Sequence, residues 1–228
     1  MTPEEAIAAR HSVRSYRPVP LSEADASRLS DEIAEINRIS GLHIQLIQNE
    51  PKAFKGVFAY GKFSGVVNYM VMAGKKSPDL DERIGYYGER LVLFARALGL
   101  DTCWVGLSYR KIAHTYVLDD DEKIACYIAV GYGTTHGVSH RIRTPEQVSN
   151  ISCSTPAWFC RGVEAALLAP TAINQQRFHF EYLGEKDGIG LVRARKGFSL
   201  VGYTSMDLGI AKYHFEIGAG RDNFIWTA

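Results

Sequence analysis

The run at residues 124–130, Ile-Ala-Cys-Tyr-Ile-Ala-Val, constrains the fold more than any other stretch. It is nearly all apolar, and Gly131-Tyr132-Gly133 closes it. A strand with no polar face belongs inside a sheet, so the chain must supply neighbouring strands. Candidates are Leu42, Ile44 and Leu46, then residues 68–73 and the apolar stretch 100–106. Further on, Phe178, Phe180 and Tyr182 alternate with Arg177, His179 and Glu181, the mark of a half-buried strand. A charged strand follows at 191–195.

Helical signals lie between these strands. Thr2-Pro3-Glu4-Glu5 carries a capping-box carboxylate, and Ser22 before Glu23 and Asp25 starts a second helix with Leu29, Ile33 and Ile36 inward. The strongest helix spans 81–98, where Ile84, Tyr87, Leu91, Phe94 and Leu98 recur at three and four before Gly99. Shorter helices are expected at 108–115 and at Thr144-Pro145-Glu146-Gln147. Thr155-Pro156 opens another, with Thr155 as cap and Phe159, Val163 and Ala166-Leu167 at helical spacing. A last amphipathic helix at 205–217 turns Met206, Ile210, Tyr213 and Ile217 one way. Residues 50–66 read as a loop and 119–122 as a solvated acidic turn. The mixture gives an α+β or α/β protein.

Composition removes several classes. Lys plus Arg is 26 against 25 for Asp plus Glu, so no global field favours nucleic acid or an anionic membrane. Cys103, Cys126, Cys153 and Cys160 lack metal-ligand spacing and read as reduced thiols. No apolar run reaches about 18 residues, and residues 1–9 carry acid where a signal peptide would be basic. The expectation is a soluble cytoplasmic protein.

Two regions carry candidate chemistry. Arg10, Arg14 and Arg17 flank Ser12 at a helix-to-loop boundary, and Arg141 and Arg143 alternate in an extended stretch. Guanidinium groups bind phosphate oxygens through paired hydrogen bonds, though each arginine taken singly reads as a surface residue. The second region is Ala169-Pro170-Thr171-Ala172-Ile173-Asn174-Gln175-Gln176, at a helix-to-strand junction. Pro170 stops the preceding helix. Its amides either terminate the helix, with Asn174 left-handed, or present paired donors and acceptors to a heteroaromatic edge.

Arg10-His11-Ser12-Val13-Arg14-Ser15-Tyr16 resembles the opening motif of the FMN-dependent nitroreductase family. Residues 91–106 resemble that family's long helix and following strand, and residues 169–176 resemble its Ala-Pro-Ser-x-x-Asn-x-Gln segment. The resemblance implies that Arg10, Ser12 and Arg14 hold the FMN phosphate and ribityl chain, with Arg141 and Arg143 closing on the phosphate. His11 would supply a hydrogen bond. The backbone of Trp104, Val105 and Gly106 would lie beside the flavin ring, with Pro170, Thr171, Asn174 and Gln176 approaching from the other side. Single histidines at His179 and His214 read as packed or partly exposed, Cys103 as a packed small residue, and Asp207 as a charge favoured by a helix dipole.

The motif order departs from ordinary members, in which the Pro-Ser-Asn segment precedes the long helix and crosses to a second subunit. Here it follows, with residues 206–215 as a weaker copy of the long helix. The implied architecture is a nitroreductase-like three-layer α-β-α fold built as an internal pseudo-dimer. Residues 1–150 would carry the phosphate clamp, and 151–228 would be a shortened half donating the Asn/Gln segment. The arrangement resembles a single-chain branch of the family. It implies one FMN per chain, a chain that can stand as a monomer because it mimics a dimer, and NAD(P)H as transient hydride donor to a nitroaromatic, quinone or similar acceptor. The alternatives are a protein that binds or senses FMN without turnover, and a ligand-binding protein that has lost the cofactor.

Overall fold

The computed structural model describes residues 1–55 and 63–227. The fold is α+β, as the alternation of signals predicts, with six α-helices and two sheets among the described residues. Packing divides the chain into two compact units. The first comprises Met1, Ala9–Leu80 and Arg90–Ser139; the second comprises Thr2–Ala8, Asp81–Glu89 and His140–Ala228.

In the first unit β1 (Gln45–Ile47), β2 (Tyr69–Lys75), β3 (Asp101–Val105) and β4 (Glu122–Gly131) form an antiparallel sheet in the order β1-β2-β4-β3. The apolar run therefore lies inside the sheet, with Cys103 opposite Ala129 and Met72 opposite Cys126. The second helix of the chain, Glu23–Ser40, buries Leu29, Ile33 and Ile36 as their spacing requires. Ser22 accepts the Asp25 amide at 3.1 Å, and Gly41 ends the helix at φ 66°.

The short helix expected at 108–115 does not form; the segment is a series of turns. Tyr109 stacks on Tyr127 at 3.9 Å, Arg110 donates its amide to the Ala53 carbonyl at 2.8 Å, and His114 takes φ 67°. These distant contacts outweigh a weak local preference. The acidic turn is not wholly solvated either. Glu122 begins β4, and its carboxylate lies 2.7 Å from His43 Nδ1. Residues 56–62 of the expected 50–66 loop lie outside the described residues.

The second unit holds α1 (Pro3–Ala9), α4 (Pro145–Val148), α5 (Ala157–Leu167) and α6 (Thr204–Ala219), with β5 (Phe178–Lys186), β6 (Ile189–Lys196) and β7 (Phe224–Thr227). The long helix α3 (Leu80–Ala97) gives Asp81–Glu89 to this unit and its remainder to the first. Thr2 and Glu5 form the expected reciprocal cap, as do Thr144 and Gln147. Thr155 does not cap α5: its hydroxyl accepts the Ser152 amide at 2.9 Å, and Pro156 takes the cap position. β7 pairs parallel with β6 and was not anticipated.

The core of this unit is aromatic. Phe215 on α6 meets Phe180 at 4.6 Å, Phe224 at 5.3 Å and Phe159 on α5 at 5.4 Å. On the opposite side α6 approaches α3 backbone to backbone: a Cβ on Gly209 would fall 2.0 Å from the Glu82 carbonyl oxygen, and one on Gly85 2.0 Å from that of Met206. Covered on several sides, α6 is not the amphipathic surface helix expected. Met206, Leu208, Ile210, Ala211 and Phe215 are buried around it, whereas Tyr213 and Ile217 are only partly covered.

Candidate functional site

Residues 10–17 leave α1 as extended chain held from both edges. The Val13 amide donates to Thr102 O at 3.0 Å, Tyr16 to Ser64 O at 2.9 Å, and Ser64 returns a bond to Arg14 O at 2.9 Å. On the same edge as Thr102, opposite Ser64, Thr134 donates to Ser15 O at 2.8 Å and Arg17 to Tyr132 O at 2.9 Å. Val13 and Tyr16 are buried and Arg14 is exposed. Gly137, at φ 68°, passes so close to His11 that a Cβ there would lie 2.6 Å from the His11 Cβ.

Arg10, Ser12 and Arg14 all lie near enough to the Cys103 thiol to act on it electrostatically. Burial raises that thiol's pKa, while Arg14, a hydrogen bond with Ser12, and Arg10 pull it down. The net rise keeps Cys103 a neutral thiol, which fits the packed small residue read from the sequence. Arg10 is 5% exposed, whereas Arg14 is exposed. Arg17 stands apart, 4.9 Å over the Tyr132 ring. Trp104 and Gly106 are partly covered and Val105 is buried at the end of β3.

The second group is assembled in the other unit. Thr171 opens a single 3-10 turn at Ala172–Asn174 and its hydroxyl accepts the Gln176 amide at 3.1 Å. Gln176 is 3% exposed; its Oε1 accepts from the Arg143 amide at 3.0 Å, and its Nε2 donates to Arg141 O at 2.8 Å and Asn174 Oδ1 at 2.9 Å. Asn174 Nδ2 adds a second bond to Arg141 O at 2.8 Å. The two amides therefore fix the backbone that carries Arg141 and Arg143, and the structure joins these four residues in one network. Pro170 and Thr171 lie partly covered at its entrance.

This turn is strained. Ile173, Asn174 and Gln176 take φ 48°, 58° and 47°, and Ile173 is β-branched and 77% exposed. Asp207 on α6 lies against it, 2% exposed, with Oδ1 accepting the Ala172 amide at 2.9 Å and Oδ2 accepting Gln175 Nε2 at 2.6 Å. Burial pushes its carboxyl up to about 6, against the Ala172 and Gln175 bonds that favour the anion. Asp207 lies in the first turn of α6, where the helix dipole favours its charge as expected, but it is buried and bonded to the neighbouring turn. The one sequence signal was an acid set among apolar neighbours, Met206, Leu208 and Ile210.

His214 is fully buried. Its Nδ1 lies 3.1 Å from Ala165 O and its Nε2 2.9 Å from Glu89 Oε1. No metal-binding cluster of histidine, cysteine or acid occurs among the described residues, and no helix there is long and apolar enough to cross a membrane.

The family described as "Putative TM nitroreductase" matches residues 4–219, and the chain belongs to it. Among solved structures, a putative nitroreductase from Thermotoga maritima is similar with a TM-score of 0.65 and 24% identity, over 97% of this chain and 85% of that one. A putative nitroreductase in complex with FMN from Desulfovibrio desulfuricans gives 0.51 at 18% identity, over 68% of this chain and 98% of its own. The NfrA1 nitroreductase from B. subtilis gives 0.52 at 14% identity, over 68% and 74%. At these identities the likeness establishes a shared fold. No curated protein matches the chain.

Proposed function

We propose that this chain is an FMN-dependent oxidoreductase that takes hydride from NADH or NADPH and reduces an electron-poor acceptor such as a nitroaromatic or quinone. The observation that carries the reading is the extended backbone that bears Arg10, Ser12 and Arg14, hydrogen-bonded on both edges and placing all three within electrostatic reach of Cys103. Two guanidinium groups and a hydroxyl suit a phosphate monoester, and Arg14 is exposed to receive it. Family membership supports the same reading, as does the Desulfovibrio protein solved with FMN.

Bound FMN would supply the redox chemistry, leaving binding, orientation and electrostatics to the protein. Arg10, Ser12 and Arg14 would hold its phosphate and ribityl chain, with His11 adding a hydrogen bond. The backbone of Trp104, Val105 and Gly106 would border the ring. Arg141 and Arg143 would add positive charge, and Pro170, Thr171, Asn174 and Gln176 would furnish further ring contacts. Cationic and amide groups of this kind favour negative charge developing on a reduced ring.

The test is anaerobic addition of NADH or NADPH to FMN-loaded protein. Loss of flavin absorbance is the expected result. Flavin retained but still oxidised under excess reduced nicotinamide contradicts turnover and leaves a flavin-binding protein. Failure to retain FMN contradicts the reading altogether.

A further inference from the structure

Ile173 poses a problem of cause. A β-branched residue in the left-handed region is unfavourable and persists only where its surroundings over-determine it. Its side chain is 77% exposed, so packing of that side chain does not hold it there. Hydrogen bonds on its flanks remain. The Thr171 hydroxyl holds the Gln176 amide across the turn, and on the C-terminal side Gln176 and Asn174 hold Arg141 O. From outside the turn, Asp207 grips both sides of Ile173, with one carboxylate oxygen on the Ala172 amide and the other on Gln175 Nε2.

We propose that Asp207 is a positioning residue, its buried carboxylate holding the strained turn around Ile173 in the conformation that presents Pro170, Thr171, Asn174 and Gln176. The functional half rests on the flavin reading given above; the structural half does not.

Gln175 supplies an independent sign of this grip. Its Nε2 serves both Asp207 Oδ2 and Gly202 O, at 2.6 and 3.0 Å, while its Oε1 is buried and accepts no hydrogen bond. Buried polar atoms are normally satisfied, so the amide is oriented for the carboxylate at the expense of its own oxygen. Charged groups on the neighbouring elements are otherwise engaged. Lys212 pairs with Glu82 at 2.8 Å, and Lys196 Nζ donates to Ser205 Oγ at 2.6 Å. None of them is among the causes of the Asp207 shift, which are burial, the Ala172 amide and Gln175.

The substitutions separate position from charge. Asp207→Asn keeps an acceptor for the Ala172 amide, and a flipped Gln175 would present its Oε1 to the new amide. Asp207→Ala removes both acceptors. The backbone amide of Ala172 and the side-chain amide of Gln175 are followed by NMR against pH, and FMN affinity is measured for each protein. In the parent both signals should shift with one midpoint near the acid's value of about 6, and in Asp207→Asn that shift should vanish. FMN binding should weaken about ten-fold or more in Asp207→Ala and be largely retained in Asp207→Asn.

Signals that do not move with pH, or that move equally in Asp207→Asn, overturn the structural half. Unchanged FMN affinity in Asp207→Ala overturns the functional half. A parent that takes up no FMN refutes the flavin reading and the functional half with it, while the NMR titration still decides the structural half.

Discussion

His214 and Glu89 meet with no water contact, their Nε2 and Oε1 atoms 2.9 Å apart and both side chains fully buried. Because Nδ1 faces the Ala165 carbonyl at 3.1 Å, that nitrogen must carry a hydrogen. Removing the Glu89 side chain leaves a fully buried cavity and takes the hydrogen bond from His214 Nε2, which together cost about 3–5 kcal/mol. Glu89→Ala should therefore lower unfolding stability by about that amount. Glu89→Gln, whose amide can donate to an unprotonated Nε2, should cost about 1–2 kcal/mol. Urea midpoints of the two variants check the pair, and equal losses would contradict it.

The close approach of α6 to α3 gives a second prediction. Alanine is ordinarily favoured over glycine inside a helix by up to about 1 kcal/mol. At Gly209 the added methyl meets the Glu82 carbonyl oxygen at 2.0 Å, so the backbones must separate. Gly209→Ala should be net destabilising by about 1–3 kcal/mol, reversing the usual sign. Chemical denaturation of the variant reads it directly.

Asp207 makes stability depend on pH in a stated direction. Its folded value, about 6, lies above the unperturbed 3.8. The contribution is present in full below the unfolded value and is lost as pH rises through the folded one. Between about pH 3 and pH 7 the parent should lose roughly 3 kcal/mol relative to Asp207→Asn, about two units at about 1.4 each. Urea midpoints of both proteins across that range check the sign, and a constant difference between them would contradict it.

These contacts mark the limit of what the sequence could convey. The apolar run at 124–130 announced an interior strand, and the spacings at Leu29, Ile33 and Ile36 and in 81–98 announced helices, because each signal is local and periodic. The family was legible in three short motifs. Asp207, Glu89 and His214 were not legible in their roles, since their partners lie 35 and 125 residues away and no spacing rule connects them. Tyr109 was misread as helical for the same reason: its stacking on Tyr127 is a tertiary fact. The turn at 169–176 was legible as a motif, while its strain and the engagement of its amides with Arg141 and Arg143 became visible only in three dimensions.

The clamp is tested by comparing two flavins. Arg14 is exposed, so Arg14→Ala should change stability by no more than about 0.5 kcal/mol. A charge-assisted bond to phosphate contributes about 1.5–3 kcal/mol, so FMN affinity should fall about ten- to a hundred-fold. Riboflavin, which lacks the phosphate, should bind parent and variant alike. An equal loss for both flavins would place Arg14 elsewhere than on the phosphate.

The central claim is that this nitroreductase-family chain holds one FMN and passes hydride through it. Purified protein should be reconstituted with FMN, its flavin-to-protein ratio determined, and the complex titrated anaerobically with NADH and with NADPH. The account predicts one FMN per chain and complete loss of flavin absorbance after about one equivalent of at least one of the two donors, each donor carrying a two-electron hydride. A ratio near two would contradict the single site, and flavin that stays oxidised under excess of both donors would contradict the oxidoreductase.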